Sequence, residues 1–229
     1  MVGVHSQNIH KWYKIPVRAF ADRLLHASMG KRRAAFFITG TDTGVGKTLL
    51  TCKLLNEFQR RGIPAAGFKP ICCGDRADAR RLWESSDRIL PLDVVNPIHL
   101  PRPVAPISQP CPPWSTLVHR IRRALARYQA AKIHIVLVEG AGGLLCPITR
   151  KHTMRELARA LDLPLVVVVP DRLGVLNHTL LTLEAATAEG LACVAVVLNR
   201  RETRKDTSQR TNRIILKRLT STPLYVLSS

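Results

Sequence analysis

Short apolar runs alternate along most of this chain with longer segments in which apolar positions recur every three to four residues. The runs Ala34–Thr39, Ala65–Lys69, Ile133–Val138, Leu165–Val169 and Cys193–Leu198 predict strands, with Leu224–Leu227 as a sixth. They show little polar alternation, so burial on both faces is expected. Between the first two, Lys47–Arg61 places Leu50, Leu54, Leu55 and Phe58 on one helical face and ends at Gly62. Ala77–Glu84, a basic segment from an N-cap at Ser115 to Ala131, Thr153–Leu161, Gly174–Glu189 and Ser208–Leu219 predict further helices. Apolar strands alternating with helices predict a three-layer α/β fold, a mostly parallel sheet flanked by helices. Prolines at 97, 101, 103, 106, 110, 112 and 113 predict an irregular loop wrapped on the domain.

The first 33 residues depart from this pattern. They carry Lys11, Lys14, Arg18, Arg23, Lys31, Arg32 and Arg33 against the single acid Asp22, and show no sustained period of 2 or 3.6. Residues 1–33 are therefore expected to be a basic extension, disordered or upstream of a true start at Met29, with an organelle-targeting segment as the alternative. Residues 34–229 are expected to form a single domain, and a chain starting at Met29 to fold and keep activity. At 46% hydrophobic residues there is material for a large core, which excludes global disorder. The 35 basic residues outnumber 16 acids, for a net charge of +19. Such a surface attracts nucleotides, carboxylates, nucleic acid or anionic lipid without choosing among them. The apolar run Leu163–Val169 is far shorter than the ~20 residues of a membrane span. Six cysteines without a Cys-x-x-Cys pair argue against a zinc site or a disulfide framework and for a reducing, cytoplasmic setting.

Chemistry concentrates where strands end. The first strand runs into Gly40-Thr-Asp-Thr-Gly-Val-Gly-Lys-Thr48 and then a helix, the context of a phosphate-binding loop. Thr43, Gly44, Val45 and Gly46 would offer backbone to phosphates, Lys47 would reach the β- and γ-phosphates, and Thr48 would offer its hydroxyl to Mg²⁺. The third strand ends in Val138-Glu139-Gly140-Ala141-Gly142-Gly143, where a carboxylate can make a second metal contact. Lys69 closes the second strand, and ligands of open parallel sheets bind outside the carboxyl ends of strands. Lys47, Lys69 and Glu139 are therefore expected to converge, with Lys69 on an anionic substrate or a transferring phosphoryl group.

These motifs, together with KPICCG, RADA, VNP and LGVLNHTLLT in the same order and spacing, resemble the dethiobiotin synthetase family of P-loop NTPases from about Lys31 to Asn199. The resemblance implies a homodimeric ATP- and Mg²⁺-dependent cyclo-ligase that makes dethiobiotin from 7,8-diaminononanoate and CO₂. A carbamate forms, takes the γ-phosphoryl group, and is closed by the second amine. It implies Thr48, Asp78 and Glu139 as the Mg²⁺ set and Lys69 with Lys47 as catalytic residues. It further implies Cys73, Gly142, Gly143 and Asn177 as substrate contacts, Asn177 acting across the dimer, and Asn199 as the adenine reader. Some family members have Glu where this chain has Gly44, and Ser often stands where it has Cys73. The family's Gly-x-x-Pro-type loop around adenine is not evident after Pro223, which implies a more open base pocket.

The other readings are a related P-loop ATPase of different substrate, or a basic nucleic-acid-binding protein on an inactive ATPase fold. Partition ATPases carry lysine five residues before the loop lysine, where this chain has Asp42, and Asn199-Arg-Arg-Glu202 is not a guanine reader. Arg120, Arg122, Arg123 and Arg127 would supply a nucleic-acid surface, but only Tyr128 lies near for stacking.

Overall fold

A computed structural model describes residues 17–29, 34–200 and 206–228. Six strands form one parallel sheet: β1 (Ala34–Gly40), β2 (Ala65–Phe68), β5 (Ile135–Glu139), β6 (Leu165–Pro170), β7 (Cys193–Arg200) and β8 (Leu224–Ser228). Their order is β2-β5-β1-β6-β7-β8. Alternate side chains of each central strand enter opposite cores. Phe36 and Ile38 pack with α1 (Val17–Ala27) and α2 (Lys47–Arg60), while Phe37 faces the core of α5 (Trp114–Ala130), α6 (Met154–Ala160), α7 (Val175–Ala188) and α8 (Asn212–Leu219). Both faces are covered, which explains strands without polar positions.

The strand order brings the carboxyl ends of β2, β5 and β1 side by side. Lys69 follows the first, Glu139 ends the second, and the phosphate-binding loop leaves the third. α3 (Ala77–Glu84) lies over β2 at close quarters. A Cβ on Gly67 would fall 2.6 Å from Leu82 Cδ2, so glycine there lets the helix carrying Asp78 approach the sheet.

Four sequence expectations change. A short helix, α4 (Leu92–Val95), is present, and two three-residue strands, β3 (Ile71–Cys73) and β4 (Ile98–Leu100), pair with each other as a small second sheet. Pro97 and Pro101 bracket β4 instead of interrupting it, so no ladder donor is lost. The α5 helix begins at Trp114 with Pro113 as its cap, leaving Ser115 exposed inside the first turn. The last predicted helix divides at Thr211 into a 3₁₀ turn, Thr207–Arg210, and α8. At α6 the expected start holds: Thr153 caps the helix, and Thr153 and Glu156 form a reciprocal capping box.

The largest departure is at the amino end. Val17–Ala27 is helical and buries Phe20, Ala21 and Leu24 against α2 and β8, with the Phe20 ring 4.7 Å from that of Tyr225. Asp22, the only acid of that region, pairs with Arg61 at 2.7 Å. Residues 1–16 and 30–33 of the extension lie outside the described residues. Because α1 covers part of the second core, a chain beginning at Met29 is expected to lose stability instead of tolerating the cut. Phe20→Ala should lower the unfolding free energy by about 3–5 kcal/mol. Urea denaturation of the full chain, the point variant and the shortened chain checks this, and a wild-type midpoint for all three would refute it.

Candidate active site

The phosphate-binding loop turns at Gly44 and Gly46, both with positive φ, and delivers Lys47 and Thr48 to the first turn of α2. Gly46 has a second reason to be glycine: a Cβ there would lie 2.1 Å from Asn199 Nδ2. Lys47 Nζ folds back to donate to the Asp42 carbonyl at 2.8 Å. Burial pushes the Lys47 ammonium down to about 8, with the neighbouring Lys69 charge adding to the effect and Glu139, Asp78 and Asp42 opposing it.

Beneath the loop is a compact polar knot. Lys69 Nζ donates to Glu139 Oε1 at 2.6 Å, to Asp78 Oδ2 at 3.1 Å and to the Gly140 carbonyl at 3.2 Å. Thr48 Oγ1 lies 2.9 Å from both Asp78 Oδ1 and Glu139 Oε1. Lys69 and Glu139 are 2% and 0% exposed, so this pair is sealed from water. Burial works against the Lys69 charge, but Glu139 and Asp78 outweigh it and raise the lysine above its ordinary value. For Asp78, burial pushes upward, and Lys69 and Thr48 reverse that, leaving its carboxyl below the usual range. Lys69 is therefore a fixed ammonium, suited to holding an anion and unsuited to accepting a proton.

The donors that gather here are hard oxygens: one hydroxyl and two carboxylates. That chemistry fits Mg²⁺, which also takes phosphate and water oxygens. Among the described residues no group of three or more His, Cys, Asp or Glu side chains forms an all-protein metal cage. A divalent ion at Thr48, Asp78 and Glu139 would thus share its shell with a phosphate ligand.

A cavity of about 580 Å³ opens above the knot. Thr43, Gly44, Gly46, Lys47, Thr48, Lys69, Cys73, Asp78 and Gly142 line it together, so most sequence-derived candidates share one space. A second cavity of about 290 Å³ continues along the loop past Val45 and Asn199 to Asp171 and Gln209. A third, of about 340 Å³, is lined by Gly142, Gly143, Leu145 and Leu181. Asn177 stands apart: it is exposed in the first turns of α7 and lines none of these three cavities.

The sequence did not single out Cys146, which lines both the first and third cavities, or Thr51. Burial raises the Cys146 thiol and pushes Cys73 up to about 11, so both walls are neutral thiols near neutral pH. Thr51, one turn beyond Lys47 on α2, is fully buried, and its one hydroxyl proton is shared between the Lys47 carbonyl at 2.9 Å and Glu139 Oε2 at 3.1 Å. Its position one helical turn after a phosphate-loop lysine was the available signal.

The fold and loop define a P-loop nucleotide-binding α/β protein, and comparisons with known proteins agree. An "AAA domain" family profile matches residues 34–225. Two solved signal recognition particle receptors FtsY share the fold. The one from Elizabethkingia anophelis has a TM-score of 0.53 and 16% identity, covering 92% of this chain and 64% of the receptor. The chloroplast receptor from Physcomitrella patens has a TM-score of 0.54 and 17% identity, covering 91% of this chain and 65% of the receptor. The sequence relatives are more specific. ATP-dependent dethiobiotin synthetase BioD of Anaeromyxobacter dehalogenans (strain 2CP-1) is 43% identical over 189 residues, 80% of this chain and 84% of the relative. The BioD of Akkermansia muciniphila is 38% identical over 190 residues, 82% and 89% of the two chains. The chain belongs to the ATP-dependent dethiobiotin synthetase family.

Thr51 tests the knot without touching the cavity. Thr51→Val should leave a buried carboxylate oxygen short of a donor and lower stability by about 1–3 kcal/mol. Chemical denaturation measures it, and a loss near zero would show that Glu139 does not depend on this bond.

Proposed function

We propose that this chain closes the ureido ring of dethiobiotin from 7,8-diaminononanoate and CO₂ at the expense of ATP. What carries the reading is the buried Lys69 ammonium set beside the phosphate-binding loop in a chain 43% identical to a dethiobiotin synthetase. An amine adds to CO₂ and loses a proton, giving a carbamate. A carbamate oxygen attacks the γ-phosphorus and ADP leaves. The second amine then attacks the carbonyl carbon of the mixed anhydride, and inorganic phosphate departs as the ring closes.

The chain's own groups divide this work. Backbone N–H groups of Thr43, Gly44, Val45 and Gly46 cradle the phosphates, and Lys47 neutralises charge on the transferring group. Lys69 holds the carbamate anion and stabilises charge as it moves toward phosphorus. Gly142 and Gly143 present backbone, and Cys73 walls the substrate side. Thr48, Asp78 and Glu139 would hold Mg²⁺, which when bound supplies counter-charge to the phosphates. Asn199 reads adenine. Its Nδ2 donates to the Val45 carbonyl at 2.8 Å, and its Oδ1 has no hydrogen-bond partner among the described residues. Adenine's amino group is the donor that oxygen lacks.

A homodimer completes the proposal. Leu145 and Leu181, 54% and 55% exposed, form an apolar edge lining the third cavity, Leu181 on the helix that carries Asn177, and Leu173, 81% exposed, lies two residues before that helix. Pairing of two such edges would cover them and bring Asn177 to the substrate carboxylate of the other subunit. No described helix is long and apolar enough to cross a membrane. A cytoplasmic location accords with six free cysteines.

ATP turnover with and without 7,8-diaminononanoate and bicarbonate, with product mass, tests the activity. Free ATP hydrolysis without dethiobiotin would sink it. Lys47→Ala should lower turnover by at least ~10². Lys69→Gln should leave nucleotide binding nearly intact and lose product by ~10² or more, whereas Glu139→Gln should weaken Mg²⁺-dependent ATP use. Identical defects in ATP binding would erase that division of roles. Leu173→Glu should shift the chain toward monomer in ultracentrifugation and raise the diamine KM. An unchanged mass and KM would remove the dimer from the proposal.

A further inference from the structure

Lys69 has already left the sheet: β2 ends at Phe68, so the large ladder does not hold the lysine's own backbone. A residue that lines none of the three cavities described holds it instead. Asn96 follows α4 and is 2% exposed. Its Nδ2 donates to the Lys69 carbonyl at 2.8 Å and to the Ile98 carbonyl at 3.0 Å. The preceding residue, Val95, accepts the Lys69 N–H at 2.8 Å. Lys69 is thus gripped at both its backbone groups by residues 95 and 96. The next residue is Pro70, whose carbonyl accepts from the Ile98 N–H at 3.2 Å.

The same amide reaches the other way. Asn96 Oδ1 accepts from Arg76 Nε at 2.9 Å, and the Arg76 guanidinium also donates to the Asn96 carbonyl at 3.1 Å and to Asp93 at 3.0 Å. Arg76 adopts a left-handed backbone, φ 63, directly before α3, two residues ahead of Asp78. That conformation is costly for a side chain with a Cβ, and the five-donor fork anchored on the α4 end offsets it.

We infer that Asn96, its amide held in place by Arg76, is a positioning residue for the reaction, setting Lys69 against Glu139. The inference rests on the role proposed above for Lys69. A lysine ammonium sits at the end of four rotatable bonds, so a drifting backbone moves the charge away from the reacting oxygens. A misplacement of about 1 Å costs up to ~10² in rate. Asparagine alone combines, at this length, two N–H donors for two carbonyls with an oxygen for a guanidinium. Aspartate keeps the shape and the Arg76 bond but turns an oxygen toward the carbonyls of Lys69 and Ile98.

Asn96→Asp should lower kcat for dethiobiotin formation by about tenfold or more. Its KM for ATP should change less than about threefold, because the phosphate-binding loop stands on β1 and α2, away from this bracket. The same change made in a Lys69→Gln chain should add no more than about twofold, since Asn96 acts through Lys69. A buried asparagine that merely supports the fold would lower activity equally in both backgrounds. Arg76→Lys, at the outer end of the bracket, is a second variant that spares the Asn96–Lys69 bond. It should lower kcat by about threefold with Lys69 present and not with Gln at 69. Additive losses in both backgrounds, or wild-type kcat for both variants, would overturn the inference while leaving the role of Lys69 standing. Wild-type turnover by Lys69→Gln alone would remove that role and the inference with it.

Discussion

The ion pair between Lys69 and Glu139, 2.6 Å long and closed to solvent, is the contact that the rest of the site depends on. A carboxylate at the end of a fully buried strand is among the most costly groups a sheet can carry. It persists here because Lys69 donates to Oε1, with the Thr48 hydroxyl, shared with Asp78, beside the same oxygen and the Thr51 hydroxyl, shared with the Lys47 carbonyl, beside Oε2. Those partners come from the β2 end and from the first turns of α2, so satisfying one charge fixes three elements relative to one another. Loss of either partner would leave an uncompensated buried charge, worth about 3–5 kcal/mol in comparable pairs. A core of packed aliphatic residues would serve stability as well. The ionic knot adds a rigid charge pattern at the point where phosphate arrives.

Sequence reasoning reached this knot because of how the sheet is built. Strands buried on both faces lose their polar positions, so the charged residues at 47, 69 and 139 stand out as interruptions where strands end. What it missed was short or weakly patterned. The apolar stripe of α1 is Phe20, Ala21 and Leu24, diluted by Arg18, Asp22 and Arg23, and its partners Tyr225 and Leu50 lie far along the chain. The strands β3 and β4 are three residues each, too brief for any period to register. Asn96 lies in the Val-Asn-Pro motif that carries part of the family resemblance, but no role attached to it there. Only its enclosure between Lys69, Ile98 and Arg76 gives it meaning. Asn177 falls on a helix as expected, yet it lines none of the three cavities described, and the contact proposed for it would need a second chain.

The same economy appears at the far end of the phosphate-binding loop. Asn199 ends β7 and is 3% exposed, and its amide is oriented by the carbonyl of Val45 within the loop itself. That bond settles which way the amide points. Nδ2 is committed to Val45, so in the proposed base contact the remaining atom would be an acceptor. An acceptor pairs with the amino group of adenine and is repelled by the carbonyl oxygen that guanine carries at the same ring position. The absence of a Cβ at Gly46 is what lets the amide come this close. The asparagine and the loop are therefore one mechanical unit: a side chain at position 46 would displace both together. The fold is shared with a solved structure of only 16% identity, so it says nothing of the contacts made at this end of the loop.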